Sequence, residues 1–161
     1  MRDYKFETEN RVAFIRNTLK SAGSEGIVYG NSGGKDCALV GILCKMACEN
    51  TLGVIMPCGS KRNFEDDKTH AEDFAKLYNI ATKYIDLTAI KTDLLNTINE
   101  TTTLTTDAII NIAPRLRMTA LYAIAASEKR LVAGTSNRSE QYMGYFTKWR
   151  TAHTILIRLR I

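Results

Sequence analysis

The chain has 161 residues, a hydrophobic fraction of 45% and a charged fraction of 24%, which describes one ordinary globular domain able to bury a core without staples. The net charge is +5, and Arg150, Arg158 and Arg160 supply three of those charges, leaving +2 for residues 1–149. A nucleic-acid surface needs a broad basic stripe, and this end-weighted excess argues against one. No apolar run is long enough to span a membrane, and the opening Met1-Arg2-Asp3-Tyr4 lacks a signal-peptide core, so a cytoplasmic setting is expected. Cys37, Cys44, Cys48 and Cys58 form no C-x-x-C pair and only His70 and His153 accompany them, which disfavours zinc.

In chain order, residues 10–22 carry Val12, Phe14, Ile15 and Leu19 at near-helical spacing, and Gly23 and Gly26 close that helix. Residues 26–30 read as a short apolar strand, followed by a glycine-containing loop through Asp36. Residues 37–49 form a buried helix, with Cys44 and Cys48 expected as two buried thiols on one face. A second strand covers 52–56 and is closed by Pro57. Residues 66–78 are a helix with Ala71, Phe74, Ala75 and Leu77 inward. A third strand over 82–87, a helix over 90–100 and a threonine-rich loop over 101–106 follow. Residues 108–129 are helical, with Pro114 expected to start or kink a helix, and 131–135 make a fourth strand. This alternation predicts an α/β fold, a parallel sheet with helices on both faces and right-handed crossovers. Ligands of such sheets bind at the carboxyl ends of the strands, so the loops after the first and fourth strands are the places to search.

The first of these loops is Gly30-Asn31-Ser32-Gly33-Gly34-Lys35-Asp36-Cys37. Paired glycines allow close backbone approach, and a helix that starts here offers N–H groups to phosphate. A Walker A loop fails because Tyr29 and Asp36 occupy its glycine and hydroxyl positions, and a dinucleotide fingerprint fails at Ser32. Asp36 beside polyphosphate implies an intervening Mg²⁺.

Ser32-Gly33-Gly34-Lys35-Asp36-Cys37 resembles the S-G-G-x-D-S signature of the PP-loop ATP pyrophosphatases, with Cys37 in place of the last serine. Cysteine is close to serine in shape and is the weaker hydrogen-bond donor. Three further segments resemble NAD synthetases in the family's order: Asn111 to Met118 (N-x-x-x-R-x-R-M), Gly134 to Glu140 (G-T-x-N-x-S-E) and Gly144 to Lys148 (G-Y-F-T-K). The resemblance runs from about Tyr4 to Trp149. It implies an adenine nucleotide alpha hydrolase-like, three-layer α/β/α fold. It implies ATP contacts from Gly30, Asn31, Ser32, Gly33, Gly34, Lys35, Asp36, Cys37 and Thr135, and Mg²⁺ shared by Asp36 and Glu140. Arg115 and Lys148 are the implied contacts to deamido-NAD. Arg115 and Arg117 lie two apart and cannot share one helix face, so one can meet an anion while the other serves structure.

The implied reaction adenylates the deamido-NAD carboxylate with ATP and then displaces AMP with ammonia. No nucleophile of the protein's own is required, so no catalytic residue is assigned. No glutaminase segment precedes the synthetase-like region in this sequence, which implies free ammonia as the nitrogen source. The resemblance also implies a homodimer, through a helix apolar on several faces (Ile109, Ile112, Leu116, Met118, Leu121, Tyr122 and Ile124). The alternatives are an inactive fragment that keeps ATP binding, or another PP-loop enzyme.

After Lys148 the family continues with a glycine–aspartate loop that this sequence lacks. Residues 1–149 therefore read as an incomplete synthetase domain and 150–161 as a divergent tail. A back-translation of 151–161, read one base earlier, restores a string that fits the missing segment. A shifted reading frame and a natural terminal strand both account for the tail, and the abrupt break inside a motif favours the first. A tail of that origin is expected to be disordered or to promote aggregation.

Overall fold

The computed structural model describes residues 3–59, 64–134 and 142–143. The expectations placed on Thr135, Glu140, Lys148 and the tail from residue 150 lie outside the described residues. The chain runs α1 (Tyr4–Ser21), β1 (Gly26–Gly30), α2 (Lys35–Ala47), β2 (Thr51–Ile55), α3 (Phe64–Leu77), β3 (Ala81–Tyr84), α4 (Thr88–Asn99), α5 (Thr106–Ser127) and β4 (Arg130–Ala133).

The four strands form one parallel sheet in the order β3-β2-β1-β4. On one face Val12 and Ile15 of α1, Val40, Leu43 and Cys44 of α2, and Ala75 of α3 pack against Ile27, Tyr29 and Ala133. On the other, Leu121 and Ala125 of α5 pack against Val28, Leu52, Val54 and Val132. The alternation of side chains along a strand sends Ile27 and Tyr29 to one layer and Val28 to the other. The expected three-layer α/β arrangement is therefore present.

The strand order sets the position of the site. From β1 the chain steps outward through α2 and α3 to β2 and β3. It then returns through α4 and α5 to place β4 on the other flank of β1. Connections leave β1 in opposite directions, so the loop after β1 sits where the strand order reverses, the crevice in which open parallel sheets bind ligands.

Several local expectations change. Helix α1 begins six residues earlier than its apolar spacing indicates, because Asp3 Oδ1 caps it by accepting the N–H groups of Lys5 and Phe6 at 3.0 and 3.1 Å. Phe14 is exposed, not inward; Val12 and Ile15 carry that contact. Leu77 is 77% exposed. It closes α3 just before Asn79 turns left-handed at φ 52, and Ile80 fills the core instead, with its N–H on the Ala75 carbonyl at 2.8 Å. Cys48 is the extended C-cap of α2 and is only half-buried, so of the expected pair Cys44 is buried and Cys48 is not. The strand β3 is shorter than expected and ends at Tyr84. Pro114 starts no helix, since α5 begins at Thr106, capped by the Thr105 hydroxyl. The carbonyl that a proline at 114 leaves without its helical donor belongs to Ile110, an exposed residue where water can serve it.

Tyr29 fixes how closely α2 approaches the sheet. Its ring is fully buried, and a Cβ at Gly41 would lie 2.5 Å from its hydroxyl oxygen and one at Gly53 3.2 Å away. Glycine at both positions makes room for the phenol. Its hydroxyl has no hydrogen-bond partner among the described residues. Burial, then the nearby thiols of Cys37 and Cys44, push its pKa upward.

At the amino ends of the strands, charged side chains stitch the sheet together. Arg130 donates through Nε to Glu128 at 2.7 Å and through Nη1 to the carbonyls of Asn50 at 2.9 Å and Ile27 at 3.4 Å. Glu128 also pairs with Lys83, on the opposite edge strand β3. Lys129 pairs with Glu25 at 2.9 Å, and Asn50 Nδ2 donates to the Glu25 carbonyl at 2.8 Å.

Candidate functional site

The loop between β1 and α2 is built by short-range hydrogen bonds. The Asn31 N–H donates to the Val54 carbonyl at 2.8 Å and extends the β1–β2 ladder by one step. The Asn31 side chain is buried; its Nδ2 donates to the Ala71 carbonyl at 3.0 Å and its Oδ1 accepts the Gly33 N–H at 3.2 Å. Asn31 thus shapes the loop through its side chain. Gly33 holds φ 77, a conformation that favours glycine and turns the chain into the helix.

Helix α2 has Gly34 at its N-cap and no side-chain cap, as α4 has Leu87, whereas Asp3 and Thr105 cap α1 and α5 with their side chains. The N–H groups of its first turn, the positive end of its dipole, are thereby left for a ligand. Exposed Ser32 places its hydroxyl oxygen 3.4 Å from the Gly34 N–H and 3.1 Å from the Cys37 sulfur. Lys35 is exposed and Asp36 half-buried in that first turn. Ser32, Gly33, Gly34, Lys35, Asp36 and Cys37 are therefore gathered at one helix start, with Gly30 directly beneath.

The sequence search did not single out the loop after β2, which rises from the same edge of the sheet. The space over Gly30 is bounded by Met56 and Leu121, 3.4 and 3.6 Å from where a Cβ would stand. Beyond Met56, the Leu87 N–H donates to the Pro57 carbonyl at 2.8 Å and the Gly59 N–H to the Thr88 hydroxyl at 3.0 Å. Cys58 is buried, which raises its thiol pKa against the opposing pull of Arg117 and Lys91. Asp86 is held below the usual carboxylate range by hydrogen bonds from Thr88. Pro57 ending an apolar strand and Gly59 two residues on were the signals available in the sequence.

The two arginines of α5 take different roles, as their spacing requires. Arg117 Nε donates to the Met56 carbonyl at 2.8 Å and ties α5 to the end of β2. Arg115 is exposed and reaches back along its own helix to the Asn111 carbonyl at 3.0 Å. Of the residues expected to make α5 apolar on several faces, Leu121 is buried and Tyr122 exposed; Ile109, Ile112, Leu116, Met118 and Ile124 are half-buried. Among the described residues no cluster of three or more His, Cys, Asp or Glu could hold a metal, and no helix is long and apolar enough to cross a membrane.

This glycine loop, at the start of an uncapped helix where the strand order reverses, lies within a sequence match that decides the family. The family model described as NAD synthase matches residues 7–156. The chain belongs to the NAD synthase family. It is 39% identical over 150 residues to the NH(3)-dependent NAD(+) synthetase of Carboxydothermus hydrogenoformans, covering 91% of this chain and 60% of that protein. The solved NH3-dependent NAD synthetase of Campylobacter jejuni, in complex with the nitrate ion, superposes with a TM-score of 0.84 at 34% identity, over 92% of this chain and 63% of that one. The NMN synthetase of Francisella tularensis superposes at 0.85 with 30% identity, over 93% and 61% of the two chains. The chain thus spans about three-fifths of the length of these NAD synthase family relatives.

Proposed function

We propose that this chain carries the ATP-binding part of an ammonia-dependent NAD synthetase acting in the cytoplasm. The observation that carries the reading is the uncapped start of α2 behind a double-glycine loop, at the reversal of strand order. Its amides, with Ser32, Lys35 and the Cys37 thiol acting from behind Ser32, serve the polyphosphate of ATP, and Thr135 adds a further contact. Asp36, with Glu140, would hold Mg²⁺, whose preference for hard oxygen donors fits carboxylates and phosphate; when bound it neutralises phosphate charge. Arg115 and Lys148 meet deamido-NAD.

In the reaction, a deamido-NAD carboxylate oxygen attacks the α-phosphorus of ATP and pyrophosphate leaves. Ammonia then adds to the acyl carbon of the adenylate, AMP leaves and the amide of NAD forms. The residues position the reactants and neutralise charge, and no covalent bond to the protein is needed.

Assembly as a homodimer belongs to the same reading. Helix α4 buries none of its residues, and Ile90, Leu94, Ile110 and Tyr122 lie exposed along α4 and α5. Burying such a face against a second copy removes it from water. Titration calorimetry with Mg-ATP tests the nucleotide site directly. Micromolar-to-millimolar binding, with AMP released when deamido-NAD and ammonia are added, supports the reading; no binding overturns it. Running the same assay toward NMN tests the activity for which the Francisella tularensis protein is named.

A further inference from the structure

Position 37 distinguishes this loop, and the structure turns its side chain inward. Cys37 is 9% exposed, beneath a Ser32 that is itself exposed. The Cys37 sulfur lies 3.1 Å from Ser32 Oγ, and the Gly34 N–H reaches the same oxygen at 3.4 Å. A serine hydroxyl has one proton to give and two lone pairs to fill. The Gly34 N–H takes one lone pair. If the thiol proton takes the other, the Ser32 proton has no remaining use inside the loop and points out toward the ligand. If Ser32 instead donated to sulfur, its proton would be spent inside and the hydroxyl would present only lone pairs to an anion.

We propose that Cys37 is a positioning residue that donates its S–H to Ser32 Oγ and so turns the Ser32 hydroxyl into a donor aimed at the incoming phosphate. This deepens the ATP-binding reading and rests on it. The thiol contributes through Ser32, with no phosphate contact of its own. Ser32 Oγ meets both neighbours at once, the Gly34 N–H at 3.4 Å and the Cys37 sulfur at 3.1 Å. The hydroxyl of this exposed residue is therefore fixed before any ligand arrives, which lowers the ordering cost of binding.

Two measurements on the full chain test this. Raman spectra of the ligand-free protein isolate the Cys37 S–H stretch by difference against Cys37→Ser. A donating thiol gives a lowered frequency that rises in Ser32→Ala; an unmoved band overturns the proposal. Calorimetry with Mg-ATP then compares variants. Cys37→Ala is expected to weaken binding about threefold to tenfold, the worth of one modest hydrogen bond. Cys37→Ser, which keeps a donor, restores the affinity. The double variant Ser32→Ala/Cys37→Ala binds no worse than Ser32→Ala alone, because the thiol acts only through that hydroxyl. Equal affinity in wild type and Cys37→Ala overturns the positioning role while leaving the nucleotide site standing. Absence of Mg-ATP binding by the wild type removes the nucleotide reading and this role with it.

Discussion

The two ends of the sheet are built on opposite plans. At the amino ends of the strands, charged side chains satisfy one another: Arg130 joins Glu128, Asn50 and Ile27, and Glu128 reaches Lys83 on the far edge strand. At the carboxyl ends, α2 opens without a side-chain cap and Ser32, Gly34 and Cys37 arrange a small donor cluster at its start. One end commits its polar groups to the fold, and the other leaves the first turn of a helix without a side-chain cap. Asp3 and Thr105 cap α1 and α5 with their side chains, whereas α2 and α4 open without one, and of those two only α2 opens behind a double-glycine loop at the carboxyl end of β1.

If that division holds, substitutions at the two ends should separate cleanly. The largest effect is expected from Asp36→Ala, which should weaken Mg-ATP binding roughly tenfold to a hundredfold, as for lost interactions of a charged group. Its melting temperature should stay near that of the wild type. Calorimetry and thermal unfolding on the same samples check both halves, and a large fall in stability would break the comparison. Arg130→Ala should do the reverse. It removes three donated bonds at the amino end and should cost about 1–2 kcal/mol in urea unfolding, with Mg-ATP affinity unchanged.

A smaller effect concerns acid. Hydrogen bonds from Lys83 and Arg130 hold the Glu128 carboxyl below its ordinary value. A lowered pKa contributes stability that is present above the unfolded-state pKa and is lost as pH falls through the folded one. Melting temperatures taken from about pH 7 down to about pH 3 should therefore show a shallower acid decline in Glu128→Gln than in the wild type. Lys129 mirrors this on the alkaline side: its hydrogen bond to Glu25 raises its pKa, so its contribution is lost as pH rises through that raised value. Parallel acid curves for wild type and Glu128→Gln would show that the Glu128 pairs with Lys83 and Arg130 add nothing to stability.

What the sequence made legible was whatever depends on near neighbours. Apolar runs alternating with helical spacing gave the strands and their parallel arrangement, and the two-residue step from Arg115 to Arg117 gave their divergent roles. Helix starts were harder. Tyr4 and Phe6 are exposed, so the first turns of α1 carry no burial pattern and only the Asp3 cap marks them. The Leu77 side chain fits an inward spacing until Asn79 breaks the helix, a backbone event that no hydrophobic pattern contains. Contacts between distant residues were not legible at all. The contact of Ser32 with Cys37 depends on Gly33 at φ 77, and that of Arg130 with the Asn50 carbonyl spans 80 positions.

The pairing of β1 with β4 has a consequence for how the chain comes to be folded. Ile27 accepts from Arg130, 103 positions later. Strands β1, β2 and β3 can join as each successive crossover is made, but one edge of β1 has no partner until β4 has been synthesised. Until then β1, a buried strand, presents open backbone groups on one side, the condition under which chains pair with the wrong neighbour. Closing so long a loop is slow compared with forming the local crossovers. The crevice at the carboxyl end of β1, which has β4 on one flank, is therefore among the last features of the molecule to exist, and a partly made chain meets the cell with its sheet incomplete.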